Sequence, residues 1–391
     1  MKILYLHQYF KTPEEGGAIR SYHLATTLVK DGHEVELITS HNKSTYELKL
    51  VDGIKVHYLP VYYDNSLGSL SRIISFIKFI VVAYLKAKTI SGVQLCYASS
   101  TPLTVGIIAL RLKRKFNIPF FFEVRDLWPE APIQMGIIRS SLLKKFLYGL
   151  EKRIYKEADK IIALSPGIKE GIENVITDKQ IVVIPNMADC QFFLVKEKEP
   201  ALEQKFGVKG KFVLSYFGTL GRANKVQYLL EAAMECKKAK LTAISFLIAG
   251  KGKELTYLKS LATKWELTNL RFIDYLDREG VRELLNITDA VYISFDSIPV
   301  LETTSPNKFF DAIAAEKLCI VNSKGWIKEL IEREQCGFYA DPVHPPEFTT
   351  KLAEFTTNKT KLKDYQQNAR KLADKSFSKE LLLPQFLKLF K

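Results

Sequence analysis

The 391-residue sequence predicts an α/β fold of two doubly wound parallel-sheet domains in tandem. Three observations lead there. Short apolar runs alternate with stretches of helical spacing along the chain. The alternation starts twice, each time with an apolar run followed by a glycine-containing turn. The length is too great for one ordinary domain and comfortable for two. The expected division is residues 1–195, residues 196–370, and a C-terminal helix over 371–391 that packs back on the first domain.

In the first half, residues 2–6 form an apolar run. Gly16 and Gly17 follow, and residues 19–30 read as a helix ended by Gly32. Strands are expected at 34–39, 53–59, 94–97, 119–124 and 160–164, with helices at 102–115 and 140–158. The second half restarts at 212–218. Its further strands are expected at 243–250, 270–273, 290–293 and 318–322, separated by helices at 226–238, 253–265, 278–286 and 308–315. The polar stretch 195–205 reads as the linker, and 377–391 as a last helix punctuated by Pro384. Sheets of this kind take ligands at the C-terminal ends of their strands, where strand order reverses. An active site between the two domains is therefore expected.

Composition narrows the class. Hydrophobic residues make up 47% and charged residues 26%, as in an ordinary globular protein. Five scattered cysteines with no Cys-x-x-Cys pair indicate neither a zinc knuckle nor a disulfide framework. No metal site is expected. The first residues enter an apolar strand directly, unlike a signal peptide. No run of about 18 apolar residues announces a membrane span. The net charge is +14, divided evenly: 25 basic against 18 acidic residues through Cys190, and 32 against 25 beyond it. Such an excess fits anionic partners. With no helix-turn-helix, RNP or zinc-finger pattern, no nucleic-acid partner is expected.

Four motifs carry chemistry. Glu14-Glu15-Gly16-Gly17-Ala18-Ile19-Arg20 follows the first strand. Paired glycines let backbone N–H groups approach a phosphate or sugar hydroxyl at a helix N-terminus; a tight turn alone would use the same residues. Gly218-Thr219-Leu220-Gly221-Arg222-Ala223-Asn224-Lys225 follows the first strand of the second domain. There Arg222 and Lys225 suit a diphosphate, or are solvated loop cations. The block from Glu302 through Thr303, Ser305, Pro306, Asn307 and Lys308 to Asp311 reads as a polar loop entering a helix capped by Ser305. Asp311 would accept from ribose hydroxyls, and Glu302 or Thr303 from a hexose. Last, Glu123, Arg125, Asp126 and Trp128 cluster at a strand end, which means a site or a buried ion pair.

Together these motifs resemble glycosyltransferase family 4, the retaining nucleotide-sugar transferases of GT-B fold. The resemblance runs over essentially the whole chain. It also includes Ser165-Pro166-Gly167, Ile184-Pro185-Asn186 and Ala249-Gly250-Lys251-Gly252. The blocks at 122–130 and 305–311 look like a branch close to the WbuB-type transferases of surface-polysaccharide synthesis. The resemblance implies an N-terminal acceptor domain, with Arg20, Glu123, Arg125 and Trp128 on the acceptor side. It implies a C-terminal donor domain facing it across a cleft. Arg222, Lys225 and Lys308 would stabilise the diphosphate, and Asp126 would lie by the reacting sugar. Gly16, Gly17, Gly218 and Thr219 would approach the donor, with the base near Tyr275 or Leu276.

The implied reaction is a metal-independent, retaining transfer of a hexosamine-type sugar, N-acetylated or deoxy, from a UDP-linked donor. Its acceptor would be a polyprenyl-diphosphate-linked saccharide of O-antigen or capsule synthesis. No cofactor beyond the donor is implied. The implied location is the cytoplasm, at the inner face of the cytoplasmic membrane. The sequence departs from the family at Thr303, which stands eight positions before Asp311 where a glutamate is usual, and at Glu316, where relatives have glycine. Lys225 replaces a residue that is often small. A nucleotide-sugar 2-epimerase and a non-catalytic nucleotide-sugar-binding protein are the alternatives on this architecture. Residues 73–88 and 139–156 mix apolar and basic residues and fit an anionic membrane interface, with Phe76 and Phe79 on the lipid side. Packing on the sheet would leave the same pattern, above all in the second stretch; the first is more apolar than a surface helix needs, so membrane contact is expected there.

Overall fold

The computed structural model describes residues 1–17, 19–64 and 67–391. Ala18 of the glycine turn lies outside them. The chain divides into two compact units. The first comprises Met1–Pro185, Thr303–Ser305 and Leu383–Lys391, and the second Asn186–Glu302 and Pro306–Leu382. The boundary thus falls at Pro185, ahead of the polar stretch 195–205. Part of that stretch is helical: Pro200 opens a helix over Pro200–Phe206. Proline at a first helical position brings its fixed φ and gives up an N–H that had no partner there.

The first unit holds eight strands: β1 (Lys2–Leu6), β2 (Glu34–His41), β3 (Glu47–Val51), β4 (Ile54–Pro60), β5 (Leu95–Ser99), β6 (Phe120–Val124), β7 (Lys160–Ala163) and β8 (Ile181–Val183). Their order is β3-β4-β2-β1-β5-β6-β7-β8. All neighbours are parallel except β3 and β4. β5 and β6 are buried at every residue, as expected of parallel strands covered on both faces. β3 and β4 form a hairpin over Asp52 and Gly53, with φ of 45° and 84°. Those angles fit the type I′ turn that Asp-Gly favours. Strand order reverses between β1 and β5.

The second unit holds β9 (Phe212–Phe217), β10 (Ile244–Ala249), β11 (Leu270–Ile273), β12 (Ala290–Ile293), β13 (Leu318–Val321) and β14 (Gly337–Tyr339). The order is β11-β10-β9-β12-β13-β14, all parallel, and it reverses between β9 and β12. One face packs Leu214, Tyr216, Phe246 and Ile248 against Leu229, Ala233 and Phe348. Glu316 takes a φ of 58° between the helix Asn307–Ala314 and β13. Glycine enters that left-handed region without steric cost.

Of 371–391, only Leu383–Lys391 belong with the first unit. There Phe386 and Phe390 pack on Tyr97, with ring centroids 5.4 and 6.1 Å away, and Phe390 also meets Phe121.

The interior of the first unit also holds a charge pair. Arg20 is 3% exposed and Glu123 is 0% exposed. The Arg20 Nε donates to the Glu123 carboxylate at 2.9 Å, and the other guanidinium nitrogens donate to the carbonyls of Ile184 and Pro185. Tyr97 and Ser99 hydroxyls also donate to Glu123. Burial pushes its carboxyl up, but Arg20 and Arg125 outweigh that and hold it below the usual range. This corrects the acceptor-side expectation for both residues, because their polar atoms are taken up inside the protein. Glu123→Leu should cost about 3–5 kcal/mol of stability, read by urea denaturation, by leaving the guanidinium uncompensated. The pair's contribution is complete above the ordinary glutamate range and is lost as pH falls below it.

Candidate functional site

β9 ends where strand order reverses in the second unit, so the turn after it stands at the expected ligand position. Two backbone turns cross there. The Gly218 N–H donates to Ala249, the Leu220 N–H to Lys251, and the Glu254 N–H to the Leu220 carbonyl. A Cβ on Gly250 would stand 1.9 Å from the Gly218 oxygen, and one on Gly252 would stand 2.1 Å from the Leu220 oxygen. Only glycine permits that approach. Thr219 lends its carbonyl to the Tyr216 hydroxyl at 2.7 Å.

Arg222 opens a short 3-10 turn, Arg222–Asn224, and Lys225 follows it with a φ of 41°. The turn is tied to the loop after β12 by the Asp296 N–H on Ala223 and the Ser294 hydroxyl on Lys225. Lys308 reaches the same turn from the helix Asn307–Ala314. Its Nζ lies 3.8 Å from where a Gly218 Cβ would be and 3.9 Å from the Tyr216 ring centroid. Lys308 is 9% exposed and its ammonium has no hydrogen-bond partner. Burial pushes it down to about 7. Arg222 and Lys225 likewise make no side-chain ion pair among the described residues. Three unpaired cations, one of them buried, thus attend one glycine turn. An anion there would gain charge-assisted hydrogen bonds without breaking any in the protein. Tyr216 is the partner that sequence reading missed, because it sits unmarked in an apolar strand.

The helix Asn307–Ala314 lies one residue ahead of the expected 308–315. Pro306 occupies its N-cap position with no side-chain hydrogen bond, so Ser305 does not cap it. Asn307 is exposed, while Glu302 and Thr303 end a 3-10 turn over Pro299–Thr303. Thr303 and Ser305 belong with the first unit and Glu302 with the second. Asp311 is half-buried, and burial pushes its carboxyl up to about 7. Arg278 opposes that shift and Asp189 adds to it. Asp189 is itself held by Lys379 at 2.7 Å and by Arg278. Tyr275 is exposed, with Lys251 Nζ 4.2 Å above its ring, and Leu276 beside it is half-buried.

In the first unit, the ends of β1, β5 and β6 gather a second group. The Arg125 Nη1 donates to His7 Nε2 at 3.0 Å, and the Arg125 N–H to the Ser100 hydroxyl. His7 is buried, and burial, reinforced by Arg125, keeps it neutral. The Thr101 hydroxyl donates to Asp126 at 3.1 Å. Burial raises the Asp126 carboxyl, with Arg125 opposing. Trp128 sets its edge on Phe76, which stacks on Tyr63, which in turn meets Tyr9. Gly16 and Gly17 have φ of 66° and 85°, and space is open where a Gly17 Cβ would be. His7, Ser100 and Thr101 were not singled out from sequence. The polar run Ser99-Ser100-Thr101 after an apolar strand was the available signal.

Beside this edge the helix Ser69–Ala87 exposes Ile73, Ile74, Ile77, Val81 and Leu85. Phe79 is buried and Phe76 half-buried, so the lipid-side expectation for these two is corrected: they face the protein. The helix Ser141–Glu157 buries Glu151, Ile154 and Tyr155 but leaves Leu142 and Phe146 at 78% and 65% exposure. Among the described residues no helix is long and apolar enough to cross a membrane.

Residues 15–187 match the glycosyl transferase 4-like domain, and residues 198–372 match glycosyl transferases group 1. The chain is 22% identical over 240 residues to an uncharacterized glycosyltransferase, MJ1069, of Methanocaldococcus jannaschii, covering 61% of this chain and 60% of that protein. It is 22% identical over 239 residues to the probable glycosyltransferase WbjE of Pseudomonas aeruginosa, covering 60% and 59%. The chain thus spans about 60% of the length of these relatives. Among solved structures, sucrose-phosphate synthase from Thermosynechococcus elongatus is similar with a TM-score of 0.79 at 16% identity, over 100% of this chain and 98% of that one. Anabaena HepE in complex with UDP and glucose is similar at 0.72 and 19%, over 100% and 99%. These likenesses bear on the fold, which is GT-B. The chain thus matches a 4-like domain followed by a group 1 domain over most of its length, which supports a glycosyltransferase of the family 4 type.

Proposed function

We propose that the protein is a retaining, metal-independent glycosyltransferase that takes a hexosamine-type sugar from a UDP-linked donor. One observation carries the reading: Lys308 is buried without a hydrogen-bond or ionic partner at the glycine turn that Arg222 and Lys225 also attend. A departing nucleoside diphosphate develops negative charge, and fixed cations in a water-poor site stabilise it. HepE, solved with UDP and glucose, supports UDP as the nucleotide. Asp311 then meets the ribose, Tyr275 and Leu276 lie at the base, and Glu302 or Thr303 contacts the sugar.

In the transfer, the bond from the anomeric carbon to the phosphate oxygen breaks and a bond from that carbon to the acceptor oxygen forms. The acceptor proton passes to the departing phosphate oxygen on the same face of the sugar. The protein supplies orientation and charge stabilisation. Asp126, held by Thr101, stands by the reacting sugar, and Arg125 and Trp128 serve the acceptor. The acceptor is a polyprenyl-diphosphate-linked saccharide of O-antigen or capsule synthesis, in a branch near the WbuB-type enzymes. The protein works as a peripheral enzyme at the cytoplasmic membrane face. Its exposed apolar rows at Ile73–Leu85 and Leu142–Phe146, with Lys78, Lys144 and Lys145 among them, suit an anionic interface.

A thermal-shift screen against UDP, GDP, CMP and NAD should give its largest rise in melting temperature with UDP, and Arg222→Ala should abolish it. A shift with NAD alone would overturn the reading, and turnover of a UDP-sugar without any acceptor would favour the epimerase. UDP affinity should fall by up to tenfold per pH unit as pH rises above about 7, because the empty-site Lys308 is then neutral and must take up a proton on binding. A titration series from pH 6 to 9 checks this. For the membrane, Ile74→Asp with Ile77→Asp should end co-sedimentation with phosphatidylglycerol vesicles. A folded double variant that still sediments would refute the contact.

A further inference from the structure

The second unit carries another concave site, away from the turn after β9. A cleft of about 170 Å³ lies between residues 192–202, the helix Arg278–Ile287 and the turn at Ala315 and Lys317. Phe192, Leu202 and Leu285 give it apolar walls. Lys317 lines it and is only 8% exposed. Its ammonium makes no hydrogen bond or ion pair among the described residues. The Asp289 carboxylate, which attracts it, is already engaged by Lys198 at 2.5 Å and by the Val213 N–H at 2.7 Å.

The other charged groups on the cleft are mostly spoken for. Arg282 pairs with Glu279 at 2.6 Å, and Glu283 pairs with Lys205. Lys196 lies exposed on the lining and makes no ion pair among the described residues, and Glu199 is its exposed counterpart. The balance of the lining is cationic, and its one deeply buried charge is Lys317. The carbonyls that end the helix Asn307–Ala314 do not offset this. The Ala312 oxygen accepts from the Lys317 N–H, and the Ala314 oxygen from Arg370 at 2.7 Å. The Lys317 side chain is largely shielded from water, and a ligand's anionic group would give its ammonium a partner that the protein does not supply.

We infer that this cleft binds a small amphipathic anion, its carboxylate or phosphate on Lys317 with Lys196 and its apolar part against Phe192, Leu202 and Leu285. Lys317 follows directly on the helix that carries Lys308 and Asp311, so the occupant sits at the far end of the donor-site helix. That position suits an effector. The inference stands apart from the choice of donor.

Phenyl phosphate, titrated calorimetrically into the full chain, tests it. Wild type and Arg222→Ala should bind it within twofold of each other. Lys317→Met, which keeps the aliphatic stem, should weaken binding at least tenfold. Leu202→Trp, which fills the cleft and leaves Lys317 in place, should do the same and carries the test if Lys317→Met does not fold. Inorganic phosphate should bind at least tenfold more weakly. The inference is overturned by no binding to wild type at millimolar concentration, by binding that survives Leu202→Trp, or by loss in Arg222→Ala alone.

Discussion

The close approach of two backbones, Gly218 over Gly250 and Leu220 over Gly252, is the constraint on which the candidate donor site depends. A side chain at either glycine would push the turns apart. With hydrogen there instead, the turn after β9 lies across the turn after β10 and is bonded to it at Gly218 and Leu220. That position leaves room beside Gly218 for the Lys308 side chain and brings the Arg222–Asn224 turn against the loop after β12. The cations are therefore set by backbone geometry, which is stiffer than side-chain packing. A parallel sheet supplies the rest, since its strands all end on the same edge.

The protein buries charge in two different ways. Arg20 and Glu123 are surrounded by partners: a carboxylate, two carbonyls and two hydroxyls. Such a pair holds elements of the first unit in register and has nothing left for a ligand. Lys308 is buried to a similar degree, with only an aromatic ring beneath it. The difference between a structural charge and a functional one lies in this completeness, and depth of burial alone does not reveal it.

That distinction explains how far the sequence could be read. Both sheets were legible because their central strands, such as β1, β9 and β10, are continuous apolar runs. β3, β8 and β14 were not, being only three to five residues long, and β3 has no fully buried residue. The Asp52-Gly53 turn was a usable sign of β3. The helix Pro200–Phe206 was hidden by its polar composition, although Pro200 marked its start. Arg222 and Lys225 were legible as cations near glycines, and Lys308 as a cation at a helix start. Their lack of partners was not, since pairing depends on which carboxylates the fold brings near. Arg20 and Glu123, 103 positions apart, show the converse. The rotation of the helix Ser69–Ala87 was equally hidden: seven apolar residues in a row, Phe79 to Leu85, leave its buried side undecided until Phe79 is seen in the core.

Lys308 has a thermodynamic side. An amine held near 7 when its ordinary value is 10.5 favours the unfolded chain wherever that chain can bind the extra proton. The empty protein thus gives up stability at this position, and the deficit shrinks only as the solution becomes alkaline. A residue of similar length without charge would fold more favourably there and could not hold an anion. The glycine turn after β9 is therefore a place where the chain is less stable than its own backbone would allow, and an anion bound there would restore what the lysine withholds.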